Sequence, residues 1–135
     1  MVPNVPCPIS IIVQILDNKL NMNVTMRSQD CYLGLPSDIS GFSLLNLILA
    51  NELNIKPGIY THFIANPHLY SNQYENAKIL LNRKNDNQKP IIINIPKNSL
   101  KRAKNGDIKL VEELTNNIKN QYNPLEKLSK VDIIL

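Results

Sequence analysis

The sequence holds 135 residues, 43% of them apolar and 19% charged, with a formal charge of +4 at pH 7. That length fits a single globular domain over residues 1–135, able to bury roughly two thirds of its unfolded surface. Its apolar runs fall short of the ~20 residues a membrane span needs, and its positive charge is too small and scattered to demand a nucleic acid, so neither partner is expected.

Residues 2–8 read VPNVPCP. Proline fixes φ and lacks an amide donor, so this stretch is extended or turning. Residues 10–16 form an apolar, β-branched run and residues 19–26 alternate apolar with polar. Asp17 and Asn18 between them predict a two-residue hairpin. Residues 27–30 are a polar stop, and residues 33–36 are Gly/Pro punctuation.

A helix is expected from Ser37, with Ser37 or Asp38 as its N-cap and an apolar stripe of Phe42, Leu45 and Leu49 flanked by Leu44 and Ile48. Lys56, Pro57 and Gly58 predict a turn, and residues 59–65 a strand. Ser71 is expected to cap a second helix to about residue 83. Residues 84–89 read as a polar loop and residues 90–95 as a buried strand. Residues 107–120 read as a helix with Ile108, Val111, Leu114 and Ile118 on one face. The tail ends in an apolar VDIIL. Helical and strand-like segments alternate, which places the chain in the mixed α and β class.

Lys97, Lys101, Arg102 and Lys104 form the densest basic cluster and read as a solvated face. Two cysteines, Cys7 and Cys31, with no signal peptide in front of them, point to a reduced, cytoplasmic setting, although sequence alone leaves a bond between them open. No CxxC or HxxxH spacing occurs, so no metal site is expected. His62, Tyr60 and Cys31 read as core residues.

Two segments carry a resemblance. Arg27-Ser28-Gln29-Asp30-Cys31-Tyr32-Leu33-Gly34-Leu35-Pro36-Ser37-Asp38-Ile39 resembles the RSxDxxLGLPxN(I/V) signature of the thymidylate synthase superfamily. His68-Leu69-Tyr70-Ser71-Asn72 resembles its DxHLYxNH signature. Pro6–Cys7 lies one hairpin upstream, where the family keeps a catalytic Pro-Cys-His, and Tyr122-Asn123-Pro124 resembles its C-terminal Tyr-Asp-Pro. The resemblance implies a thymidylate synthase-like α/β (α+β) fold, a mixed sheet packed by helices, here only the C-terminal half. The family's long N-terminal half has no counterpart ahead of Cys7. A homodimer, or a partner chain supplying that half, is therefore expected.

The same resemblance implies site roles. Cys7 would be the nucleophile that adds to pyrimidine C6, a task suited to a soft thiolate. Arg27 and Ser28, with Gln29 beside them, would hold the nucleotide and its 5′-phosphate. His68 and Tyr70, two apart on an extended segment, would meet the sugar. Asp30 and Gly34 would border 5,10-methylenetetrahydrofolate, the one-carbon cosubstrate.

Asp38 stands where thymidylate synthases carry asparagine and where deoxycytidylate and cytidylate hydroxymethylases carry aspartate. A carboxylate accepts from the N4 amino group and a protonated N3 of cytosine, whereas an amide matches uracil. The expectation is folate-dependent C5 hydroxymethylation of dCMP or CMP. Thymidylate synthesis from dUMP and a non-catalytic nucleotide-binding or dimerisation module are the alternatives. Pro8, where the family has histidine, departs from the pattern.

Overall fold

The computed structural model describes residues 5–84 and 89–132. Parts of three expectations, the N-terminal extended segment, the loop at 84–89 and the apolar C-terminal tail, lie outside the described residues. The chain forms two compact units, Met1–Tyr70 and Ser71–Leu135.

The first unit is built on a hairpin of β1 (Pro8–Leu16) and β2 (Lys19–Met26). Asp17 and Asn18 both take left-handed φ, 49° and 56°. This is the turn chemistry that matches the twist of a tight antiparallel pair. The register runs from Leu16↔Lys19 to Pro8↔Met26, with an irregularity next to Pro8, which has no amide to donate. On β2 the even positions point inward: Leu20, Met22, Val24 and Met26 are buried.

Strand β4 (Lys56–Ile64) lies parallel to β2 on the side away from β1, giving a mixed sheet in the order β1-β2-β4. A parallel neighbour requires a crossover. The crossover runs through the two-residue strand β3 (Gln29–Asp30) and the helix α1 (Gly34–Glu52). From α1, Phe42, Leu45 and Leu49 pack with Tyr60 and Cys7 on the trio Met22, Val24 and Met26. The predicted stripe is therefore the packing face. Strand β3 pairs in parallel with β5 (Pro67–His68) as a separate two-stranded ribbon.

Two boundaries differ from expectation. Helix α1 begins at Gly34, so Ser37 and Asp38 lie inside its first turns and neither is the N-cap. Helix α1 has no side-chain cap, and Asp30 instead fixes the turn that leads into it: its Oδ1 accepts from the amides of Tyr32 (2.9 Å) and Leu33 (3.2 Å). Lys56, Pro57 and Gly58 are strand, not turn. The reversal happens earlier, at Asn54, whose φ is 53°. Gly58 fits the strand because a side chain there would strike the Leu20 carbonyl and the Asn21 side chain. Asn21 repairs the ladder at this irregularity, its Oδ1 accepting from the Ile59 amide at 2.7 Å.

The second unit holds a 3₁₀ turn (Ser71–Gln73), α2 (Tyr74–Asn82), α3 (Ser99–Lys104) and α4 (Ile108–Lys119). Ser71 opens the 3₁₀ turn and does not cap α2, which starts three residues later. The expected strand at 90–95 is absent. That segment is mostly exposed, and α4 and its C-terminal flank pin it by side chains: Gln121 bridges both the amide (3.0 Å) and the carbonyl (2.8 Å) of Ile92, and Asn117 Oδ1 accepts from the Asn94 amide at 3.3 Å. On α4 the buried residues are Leu110 and Leu114, while Ile108 and Val111 face solvent. The predicted stripe holds at Leu114, which is buried, and Ile118, which is half-buried, and fails at Ile108 and Val111, where Leu110 takes the inward position.

Arg102, from the basic cluster, is committed internally. Its Nε donates to Asp107 at 2.7 Å and its two terminal nitrogens grip Glu113, each at 2.9 Å. These hydrogen bonds hold both carboxyls below their ordinary values. A lowered folded-state value gives stability that is present above the unfolded pKa, about 4, and is lost as pH falls through the folded value. Arg102→Met is therefore expected to lower Tm at pH 7. The gap to the parent should close below about pH 4 in thermal melts run across that range.

Candidate functional site

The expected site residues fall on the first unit in three groups. The first is Cys7 with Arg27. Cys7 is half-buried on the core trio, and its carbonyl accepts from the Arg27 amide at 2.9 Å. The Arg27 side chain folds back along the same segment, donating from Nε to the Pro6 carbonyl (3.2 Å) and from a terminal nitrogen to the Val5 carbonyl (2.5 Å). Two of its five donors thus brace the backbone just before the thiol. Cys7 and Cys31 are both free thiols.

The second group is Ser28, His68 and Tyr70. Pairing of β3 with β5 brings Ser28 Oγ to 3.4 Å from His68 Nδ1, which also lies 3.3 Å from the Asn66 carbonyl. A carbonyl only accepts, so the ring proton belongs on Nδ1 and Nε2 is left as an acceptor. The His68 and Tyr70 rings meet edge to face at 5.2 Å.

The third group is a chain of hydrogen bonds that sequence reading did not anticipate. Gln29, only 2% exposed, donates from Nε2 to Asp38 Oδ2 at 2.7 Å. Its Oε1 lies 3.2 Å from His62 Nε2, and His62 Nδ1 lies 2.6 Å from the Tyr60 hydroxyl. Burial first, and the charge of Asp38 second, raise the Tyr60 hydroxyl above its usual range, so it stays protonated at neutral pH. The sequence places His62 and Tyr60 in the core; Tyr60 does pack on the core trio, and its hydroxyl also joins this chain. The signal that could have found them is their spacing, two apart on one strand, the same argument that picked out His68 and Tyr70.

Gly34 sits against this chain. A methyl group there would come within 2.9 Å of Gln29 Nε2, with Asp38 Oδ2 at 3.8 Å. Gly41, on the same helix, has nothing within 4 Å. Gly41→Ala is expected to stabilise the protein by about 0.5–1 kcal/mol through helix propensity. Gly34→Ala should instead cost about 1–3 kcal/mol, because the methyl displaces the amide. Paired urea titrations of the two variants check the sign.

Cys7 and Tyr60 pack on the same three residues, Met22, Val24 and Met26. The thiol and the Tyr60 end of the hydrogen-bonded chain therefore border one side of one sheet. A mixed-sheet α+β unit with a cysteine and an Arg-Ser pair at the open end of its hairpin is the class that the fold and these residues define. The chain belongs to the thymidylate synthase family, whose family model matches residues 2–123. It is 40% identical over 84 residues to a thymidylate synthase of Clostridium beijerinckii, which is 62% of this chain and 32% of the relative. It is 37% identical over 78 residues to a thymidylate synthase of Mycoplasma pneumoniae, 58% of this chain and 27% of the relative. The chain thus spans about a third of the length of the curated relatives it matches. The expected superfamily and fold class both hold.

Proposed function

We propose that this chain carries the C-terminal catalytic portion of a folate-dependent enzyme acting at C5 of a pyrimidine nucleoside monophosphate. We further propose that the base is of the cytosine type, so that the reaction is hydroxymethylation of dCMP or CMP. The observation that carries the base assignment is Asp38, a carboxylate whose Oδ2 is held by the Gln29 amide at 2.7 Å. It stands where the family signature has asparagine. A carboxylate offers acceptors alone, which suit the N4 amino group and a protonated N3 of cytosine but oppose O4 of uracil.

In this reading the Cys7 thiolate adds to C6 and makes C5 nucleophilic. Arg27 and Ser28 hold the 5′-phosphate, and His68 and Tyr70 the sugar. Asp30, fixed through Oδ1 by two backbone amides, is set to receive N–H donors of the folate ring, with Gly34 beside it. Methylenetetrahydrofolate would supply the one-carbon unit. We place the reaction in the cytoplasm and treat residues 1–135 as one functional domain, supported by a family match that runs through both units. A second copy, or a chain bearing the family's N-terminal half, is the expected partner. The exposed apolar residues on both faces of β1 support that expectation.

Thymidylate synthesis from dUMP is the second reading, favoured by the names of both relatives. A module that binds nucleotide without turnover is the third, favoured by Cys7 packing on the core with proline after it.

The deciding assay offers dCMP, CMP and dUMP labelled with tritium at C5, together with methylenetetrahydrofolate, with and without an N-terminal partner chain. Release from dCMP or CMP in preference to dUMP is the expected result. Release from dUMP alone selects thymidylate synthesis, and no release at all defeats the enzyme reading. Asp38→Asn should move the preference toward dUMP by about tenfold or more, the worth of one charged hydrogen bond.

A further inference from the structure

We infer that Gln29 is a positioning residue for base selection: oriented by His62 and Tyr60, it ties down one oxygen of Asp38 and so fixes the carboxylate edge presented to the base. The inference rests on the base-reading role given to Asp38 above.

The orientation of Gln29 follows from its neighbours. A side-chain amide can be placed either way round. Here Asp38 decides, because a carboxylate only accepts, so the group 2.7 Å from its Oδ2 must be the NH2. The carbonyl of Gln29 then faces His62 Nε2 at 3.2 Å, and that nitrogen must carry a proton. In the neutral ring Nδ1 is left as an acceptor, 2.6 Å from a Tyr60 hydroxyl that keeps its proton. Every donor in the chain therefore points the same way: Tyr60 to His62, His62 to Gln29, Gln29 to Asp38. The centre of the chain is dry, with Gln29 at 2% exposure. Turning the Gln29 amide over would set its oxygen against Asp38 Oδ2 and its NH2 against the N–H of His62, which is costly.

The consequence is selectivity. With one lone pair of Oδ2 taken by the Gln29 amide, the carboxylate is held in one orientation, and the acceptor sites left on Oδ1 and Oδ2 form a fixed edge. A fixed edge of acceptors suits the N4 amino group and the protonated N3 of cytosine. A freely rotating carboxylate would discriminate less sharply, because it could turn away from O4 of uracil.

The test uses the full chain, with dCMP and dUMP binding measured by calorimetry and the ring nitrogens of His62 followed by nitrogen-15 NMR. The parent is expected to show His62 protonated at Nε2 in the neutral form. Gln29→Met keeps the volume and removes both hydrogen bonds. It should release that tautomer and reduce the dCMP-over-dUMP preference about tenfold. Tyr60→Phe leaves the buried amide in place and should shift His62 toward a tautomer mixture, with a smaller fall in preference in the same direction. It keeps the test open if Gln29→Met fails to fold.

A parent His62 protonated at Nδ1 overturns the inference outright. If Asp38→Asn changes the preference while Gln29→Met and Tyr60→Phe do not, positioning is overturned and the base-reading role of Asp38 stands. If Asp38→Asn changes nothing, or neither nucleotide binds, the base-reading role fails and the inference fails with it.

Discussion

Cys7→Ser is expected to suppress C5 tritium release by at least about 10³-fold, equivalent to ~4 kcal/mol of barrier, while leaving the fold intact. Under the proposed reaction, in which Cys7 is the nucleophile, the activity loss is chemical. A serine hydroxyl at neutral pH has almost no anion available, and the oxygen is harder than sulfur, so addition to C6 stalls. The small effect on folding follows from position. Cys7 is half-buried, at the margin of the Met22, Val24 and Met26 cluster, and exchanging sulfur for oxygen changes its volume little. The backbone around it is held by Arg27 through three bonds that do not involve the thiol. Release assays and thermal melts on the same preparation separate the two effects. Retained tritium release in the serine variant would remove Cys7 from the chemistry. A collapsed melt would make its role packing.

Met22→Ala is expected to give the largest stability loss, about 2–5 kcal/mol. Met22 has no exposed surface, lies on the central strand and pairs with Val13 on one side and Tyr60 on the other. Its removal opens a cavity under α1 that the sheet cannot close from either side. Domains of this kind rarely hold more than 5–15 kcal/mol in total, so such a loss leaves the variant marginal. Ile12→Ala is the control. Ile12 is 59% exposed on β1, and its loss should fall within about 0.5 kcal/mol. Urea unfolding of the pair checks the ratio. Equal losses would show that the core lies elsewhere.

How legible the chain was depended on where each structural decision is made. The hairpin could be read because its turn, Asp17 and Asn18, is local and has few conformational options. The packing face of α1 could be read because Phe42, Leu45 and Leu49 repeat at helical spacing. The start of α1 was misplaced because the helix begins without a side-chain cap, out of a turn that Asp30 fixes four positions ahead of it, while Ser37 and Asp38 merely look like caps. The residues Lys56, Pro57 and Gly58 carry every local mark of a turn, yet Asn21, 38 positions from the amide it receives, makes a strand of them. The apolar run at 90–95 failed for a similar reason: its partners are the amide side chains Asn117 and Gln121, which no strand pattern announces.

The site shows the same division. Apart from Cys7, the expected site residues stand in two contiguous signatures, which is why the family could be read from them. The hydrogen-bonded chain behind Asp38 joins positions 29, 38, 60 and 62, and only the parallel crossover brings them together.

Strand β1 has a practical consequence. It is the outer strand of its sheet, and Ile9, Ile11, Ile12, Val13, Ile15 and Leu16 are all substantially exposed. An open row of backbone amides and carbonyls flanked by branched apolar groups on both sides is a template for cross-β stacking. Concentrating the chain by itself therefore favours fibrous or amorphous association, and the colloidal behaviour of a preparation reports whether that edge is covered.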